Sequence, residues 1–225
     1  EALGLKLSRA TLSNWLLVVY RDWLQYVVCR LKQELLKQNY LHIDETHVQV
    51  LKEPGRKNTS DSYMWVYCSI KDAANPVRYF EYQPGRGGKY PEAFLKGYSG
   101  YIHTDAYSGY NGIKGVKRCL CYTHLRRAFV DALPKDVHDP KAPKPAEAIL
   151  RLNKLFKIEG ELEGLSPEQR KKERLIREKQ HLEDFWSWAE KNAVGELPKS
   201  KLSTAFNYAL NNRQEFFNYL EDGHC

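Results

Sequence analysis

The sequence predicts a mixed α/β fold, with a five-stranded sheet flanked by helices. Two patterns predict it. Strand-like runs come three in succession between residues 40 and 82, and two more lie between 101 and 121. Helical spacing fills residues 8–38 and most of the chain after 146. With 225 residues, 42% of them hydrophobic, the chain can bury a core, as one large domain or one domain with an insertion.

Ser8 is a candidate N-cap for a helix through Leu12, Trp15 and Leu16. Apolar positions continue at helical spacing through Val19, Trp23, Val27, Leu31 and Leu35. Residues 1–38 therefore read as an N-terminal helical segment. Its start is rich in Ser, Arg, Thr and Asn. It is either the recognition half of a helix-turn-helix or an ordinary amphipathic helix.

From residue 40 the period shortens. Leu41 and Ile43 share one parity, and Val48 and Val50 the other. A strand apolar on both faces sits centrally in a covered sheet. Residues 53–62 turn the chain, 63–70 form a second strand dense in aromatics, and 77–82 a third. Trp65, Tyr67, Tyr79 and Tyr82 are expected in the sheet core. The loop Pro84-Gly85-Arg86-Gly87-Gly88 leads to a short helix at about 90–96. A fourth strand spans 101–105, a turn or one helical turn covers 107–112, and a fifth strand spans 116–121. A helix follows over 124–133. Three strands, a helix-separated strand, then another strand and helix read as β-β-β-α-β-α-β-α, the order of a ribonuclease-H-like fold, here occupying residues 39–135.

Pro134, Pro140, Pro143 and Pro145 mark a linker over 134–145. Beyond it, three helices are expected. The first spans 146–162. The second runs from Pro167, with Ser166 as N-cap, to Trp188. The third spans 203–220.

Lys plus Arg total 35 against 28 acids, a net charge of +7. A basic excess favours a polyanionic partner without identifying it. Five cysteines at irregular spacing make no disulfide framework and fit a reducing compartment. No run approaches the roughly 20 apolar residues of a membrane span. Glu1 follows no basic leader and no initiator Met, which suggests a fragment.

Two strands each carry an acid to their tip: Tyr40-Leu41-His42-Ile43-Asp44, and Tyr101-Ile102-His103-Thr104-Asp105. Phosphodiester cleavage needs an activated oxygen nucleophile and a stabilised leaving oxygen, and divalent cations held by carboxylates supply both. Asp44 and Asp105 could share such a cation. Strand-end aspartates also serve as turn formers and caps, so the pattern alone leaves both readings open. Glu45 points to the opposite side of a regular strand and is not assigned to the metal.

Other candidates are looser. Cys119, Cys121 and His124 offer zinc-type ligands, but the spacing lacks a fourth. His124, Arg126 and Arg127 either face the active groove to contact phosphate or form a capped, solvated basic face. Arg86 could meet a phosphate from its glycine-rich loop. Arg170, Lys171, Lys172 and Arg174 read as a solvated helix face.

Several motifs occur in order: His42-Ile43-Asp44-Glu45-Thr46, Tyr63-Met64-Trp65-Val66, Tyr101 to Tyr110 with Asp105 and Gly109, and Cys121-Tyr122-Thr123-His124-Leu125-Arg126-Arg127. Leu155-Phe156-Lys157-Ile158-Glu159, Leu197-Pro198-Lys199-Ser200 and Ala205-Phe206-Asn207-Tyr208 follow. Together they resemble the insertion-sequence-66 family of transposases, over nearly the whole chain.

The resemblance implies an Asp-Asp-Glu transposase that uses Mg²⁺, or Mn²⁺, to cleave DNA strands and transfer them. Asp44 and Asp105 would be the first two acids and cation ligands. Residues 136–225 would be a helical insertion before the third acid, in an Asn-Asn-x-x-Glu segment that this chain stops short of at Cys225. Glu159 is the in-chain substitute, unless it is a plain surface acid. The partners implied are double-stranded DNA, as element ends and target, and by analogy with this fold a second copy of the chain. The setting implied is the cytoplasm, at the nucleoid. Two other functions stay open: a DNA-binding remnant without chemistry, and a metal-dependent nuclease of the same fold.

Overall fold

The computed structural model describes residues 4, 6–134 and 143–225. Its centre is a five-stranded sheet: β1 (Tyr40–Gln49), β2 (Asp61–Ser69), β3 (Arg78–Gln83), β4 (Gly100–Thr104) and β5 (Val116–Leu120). The spatial order is β3-β2-β1-β4-β5. β1, β2 and β3 pair antiparallel; β4 pairs parallel to β1, and β5 parallel to β4. This is a ribonuclease-H-like arrangement with β1 in the middle, as its two apolar parities require.

Helices cover both faces. α1 (Arg9–Val19), a π-helical stretch (Tyr20–Leu24) and α2 (Gln25–Leu36) precede the sheet. α3 (Lys89–Phe94) links β3 to β4. Leu35 and Phe94 pack with Leu41, Ile43, Trp65, Tyr67 and Ile102 as the core of one face. On the other face lie α4 (Tyr122–Asp131), α5 (Pro143–Glu161), α6 (Pro167–Arg177), α7 (Lys179–Ala193), α8 (Lys201–Asn211) and α9 (Arg213–Phe217). A second core joins Cys119 and Leu120 of β5 and Phe129 of α4 to Leu152, Trp186, Phe206 and Phe216. The C-terminal helices thus share their core with the sheet edge.

Local signals place several boundaries. Ser8 caps α1, its hydroxyl accepting the Thr11 N–H at 3.0 Å. Ser166 and Gln169 form a reciprocal capping box at α6, with Pro167 next in the helix. α1 buries no residue, and Trp15 of α1, Trp23 of the π-helical stretch and Tyr26 of α2 are 55%, 71% and 68% exposed.

Five expectations need correction. The helix expected over 167–188 is two helices, broken at Glu178, whose fully buried carboxylate accepts from Tyr219 Oη at 2.6 Å. The helix over 203–220 breaks at Asn212, which leaves helical geometry at φ −122° and ψ 24°. Arg174 is not on a solvated face; it is 3% exposed. Tyr82 is not core: it is 39% exposed, and its hydroxyl donates to Glu53. Of the linker over 134–145, residues 135–142 lie outside the described residues, while Pro143 and Pro145 sit in the first turn of α5. Proline costs little there, because first-turn N–H groups have no helical partner.

Candidate active site

Parallel pairing of β1 and β4 sets His42 against His103. Their rings stack with centroids 4.7 Å apart. Side chains alternate along a strand, so Asp44 and Asp105, two residues further on, follow on the same sheet face. Both line one cavity of 460 Å³, roofed by α4 and α5 through His124, Phe156 and Glu159.

The two aspartates are held differently. Asp44 is exposed, and its Oδ1 accepts the N–H of Glu45 at 2.9 Å. Asp105 Oδ1 accepts the Tyr107 N–H at 3.0 Å, while Oδ2 faces Arg86 Nη2 at 3.5 Å. These are carboxylate oxygens beside an open cavity, a donor set suited to a hard divalent cation.

Arg86 reaches the site because its loop packs closely on the turn after β4. A Cβ on Gly88 would lie 2.5 Å from the Gly109 carbonyl oxygen, so only glycine fits. The guanidinium sits 4.0 Å over the Tyr107 ring, and Tyr107 Oη donates to the Arg86 carbonyl at 2.7 Å. Arg86 Nε donates to Glu45 Oε1 at 2.6 Å. The Glu45 side chain is 1% exposed and also accepts from Tyr110 Oη. Burial raises its carboxyl above the ordinary value, against the pull of Tyr110 and Arg86. Glu45 faces away from the cavity, as a strand neighbour of Asp44 should, yet Arg86 ties it to Asp105.

Sequence reasoning missed Arg118, which anchors the same turn. Its Nε donates to Thr104 Oγ1 at 2.8 Å and its Nη2 to the Asp105 and Tyr107 carbonyls. Nothing in the motif spacing marks it, because its partners lie on the preceding strand and turn.

His124 lies in the first turn of α4 and lines the cavity. Cys121 beside it raises the imidazole above its ordinary value; Asp44 and Asp105 add to this, and burial opposes it. Its Nδ1 is buried without a hydrogen-bond partner. Arg126 is directed to α5, donating from Nε to Asn153 Oδ1 at 2.7 Å. Arg127 is exposed. Neither arginine lines the cavity.

Glu159 lines the cavity with the two aspartates, but Arg174 holds both its oxygens. Among the described residues, the three carboxylates do not converge into a cluster within 4.8 Å. No helix among those residues is long and apolar enough to cross a membrane.

Comparison with known proteins adds a family. The family model described as "Transposase IS66 family" matches residues 1–225. Three curated proteins of Sinorhizobium fredii (strain NBRC 101917 / NGR234) are similar, each named only as uncharacterized. "Uncharacterized protein y4hP" is 27% identical over 81% of this chain and 36% of its own length. The proteins y4qI and y4jD are 24% and 27% identical over 98% of this chain, and 42% and 44% of theirs. The chain thus spans less than half of these relatives. No solved structure matches it significantly.

Proposed function

The chain belongs to the IS66 family of transposases, and from that premise we propose that the Asp44–Asp105 cavity is the site of Mg²⁺-dependent DNA strand cleavage and strand transfer. One observation carries the reading: Asp44, within β1, and Asp105, directly after the parallel neighbour β4, open into the same cavity. When bound, Mg²⁺, or Mn²⁺ in its place, turns a water or 3′-hydroxyl into a nucleophile and neutralises the leaving oxygen.

The chain's own residues do the rest. Asp44 and Asp105 hold the cation. Glu45 and Tyr107 hold Arg86, whose side chain is 40% exposed and meets a phosphate oxygen of the bound strand. Arg118 fixes the turn that carries Asp105. His124, which lines the cavity beside the two acids, faces the same strand. Arg126 and Arg127 act further along α4, on the DNA flank.

The third acid has two candidates. One, inferred from the family resemblance alone, is a glutamate in a segment following the last helix. Glu159 can take the role only if Arg174 releases it. The DNA bound is duplex, as element ends and target, in the cytoplasm at the nucleoid. Two copies act together, and the exposed apolar residues of α1 and the π-helical stretch supply a surface for pairing.

A strand-transfer assay on element-end DNA tests the assignment. Asp44→Asn and Asp105→Asn should each abolish transfer while gel-shift binding persists. Transfer retained by either variant overturns it. The grip of Arg174 on Glu159 favours a second reading, in which the chain binds element ends without cutting. Wild-type binding with no cleavage in Mg²⁺ or Mn²⁺ would select that reading.

A further inference from the structure

One cluster on the sheet is unused by the reading above. Register across three strands puts His42, His103 and Cys119 in a row, His42 against His103 and His103 against Cys119. This row lies one pleat before the two aspartates, roughly 7 Å along the strands. Cys225 closes over it from the end of the helical part. Ligand atoms of His103, Cys119 and Cys225 all lie within 4.8 Å of one another.

Cys225 is held there by its neighbours. Arg170 Nη1 donates to the Gly223 carbonyl at 3.1 Å, and Arg174 Nη1 to the Asp222 carbonyl at 3.3 Å. The His224 ring stacks on Tyr40 at 5.0 Å. A Cβ on Gly223 would collide with the Pro167 carbonyl oxygen, so the segment sits flat on the start of α6.

We propose that His103, Cys119 and Cys225 form a zinc site that staples β4, β5 and the segment after α9 together. Two thiols and an imidazole are a borderline-to-soft donor set, which selects zinc over the Mg²⁺ that suits carboxylates. Tetrahedral zinc sets such atoms about 3.5–3.8 Å apart, within the spread seen here. His103 Nε2 is buried with no hydrogen-bond partner. Such an orphan is costly unless something fills it, and a metal does. Cys119 is 1% exposed and Cys225 half-buried, so both sulfurs are shielded. Binding releases one proton from each thiol and leaves a neutral Cys₂His–Zn²⁺ unit, which a buried position tolerates. His103 and Cys225 both line the cavity, so the fourth position opens there and takes a water.

The site is tested on the full chain, purified with zinc and a reductant and dialysed into metal-free buffer. Elemental analysis should find about one zinc per chain. Paired Cys119→Ser and Cys225→Ser substitutions should remove it, and paired Asp44→Asn and Asp105→Asn should not. Cobalt added to wild type should give a near-ultraviolet thiolate charge-transfer band, a readout needing no variant. No retained zinc, no such band, loss of zinc only in the aspartate variant, or a Cys119–Cys225 disulfide in the zinc-treated protein would each overturn the proposal.

Discussion

Arg174 grips Glu159 by both carboxylate oxygens, Nε to Oε1 at 2.6 Å and Nη2 to Oε2 at 2.8 Å, from a side chain 4% exposed. Removing one partner of such a pair strands the other charge in a shielded site. Arg174→Met should cost about 3 kcal/mol in urea denaturation. Arg174→Met combined with Glu159→Gln should recover most of that. Equal losses in single and double variants would mean that the pair itself contributes little.

Stability should fall as pH rises from weakly acidic to weakly basic. Burial, with Glu159 adding its charge, raises the Glu178 carboxyl from its ordinary 4.5 to about 8. Between those values the folded chain keeps a proton that the unfolded chain has released, so rising pH favours unfolding. Glu159 is depressed instead, so its contribution is lost only below the ordinary carboxylate range and does not mask the window. Glu178→Gln should flatten the melting temperature across that window. A wild-type slope of the opposite sign would refute the assignment.

Glu45→Gln should weaken cleavage about 10- to 100-fold, the usual loss when a group that orients a metal site is changed. The variant keeps the shape but removes the charge that holds Arg86 beside Asp105. The loss should shrink as Mg²⁺ is raised. Activity equal to wild type at low Mg²⁺ would show that Arg86 needs no anchor.

Gly88→Ala should displace the Arg86 loop, because the added methyl meets the Gly109 carbonyl. A cost of about 1–3 kcal/mol in thermal or urea unfolding is expected. Gly87→Ala is the control: its Cβ would have only contacts of 3.9 Å or more. Similar behaviour of the two would deny the close packing any role.

Trp23→Glu should leave the melting temperature nearly unchanged, since Trp23 is 71% exposed. In sedimentation it should shift the chain from dimer towards monomer. A wild-type chain that sediments as a monomer at high concentration would remove the pairing role of this helix.

Most of the fold was legible because its signals are local. Ser8 and Ser166 announce helix starts, and parity changes announce strands. The chain order of strands and helices implies the sheet. What failed to read depended on distant partners. Glu178, where one helix ends and the next begins, is met by Tyr219 from 41 residues away, and Arg174 looks solvated until Glu159 is placed against it. Asp44 and Asp105 could be picked out from their matching positions two residues after His42 and His103, although β1 runs on past Asp44 to Gln49 and only Asp105 stands at a strand end. Arg118 could not, nor the anchoring of Arg86 by Glu45, because nothing in their spacing distinguishes them from ordinary surface charges. The cysteines mislead in the same way. Cys119, Cys121 and His124 are close in sequence, whereas His103, Cys119 and Cys225 are the ones that converge in space.

The two histidines and two aspartates of β1 and β4 occupy alternate positions on the same pair of strands. Their fates are therefore linked by arithmetic. A single-residue insertion or deletion ahead of the histidine in either strand carries its histidine and its aspartate to the opposite face together, and one between them puts the two on opposite faces. Variation in length among relatives is then tolerated in the hairpin after β1, but not within 40–44 or 101–105, where one lost residue breaks at least one of the two rows.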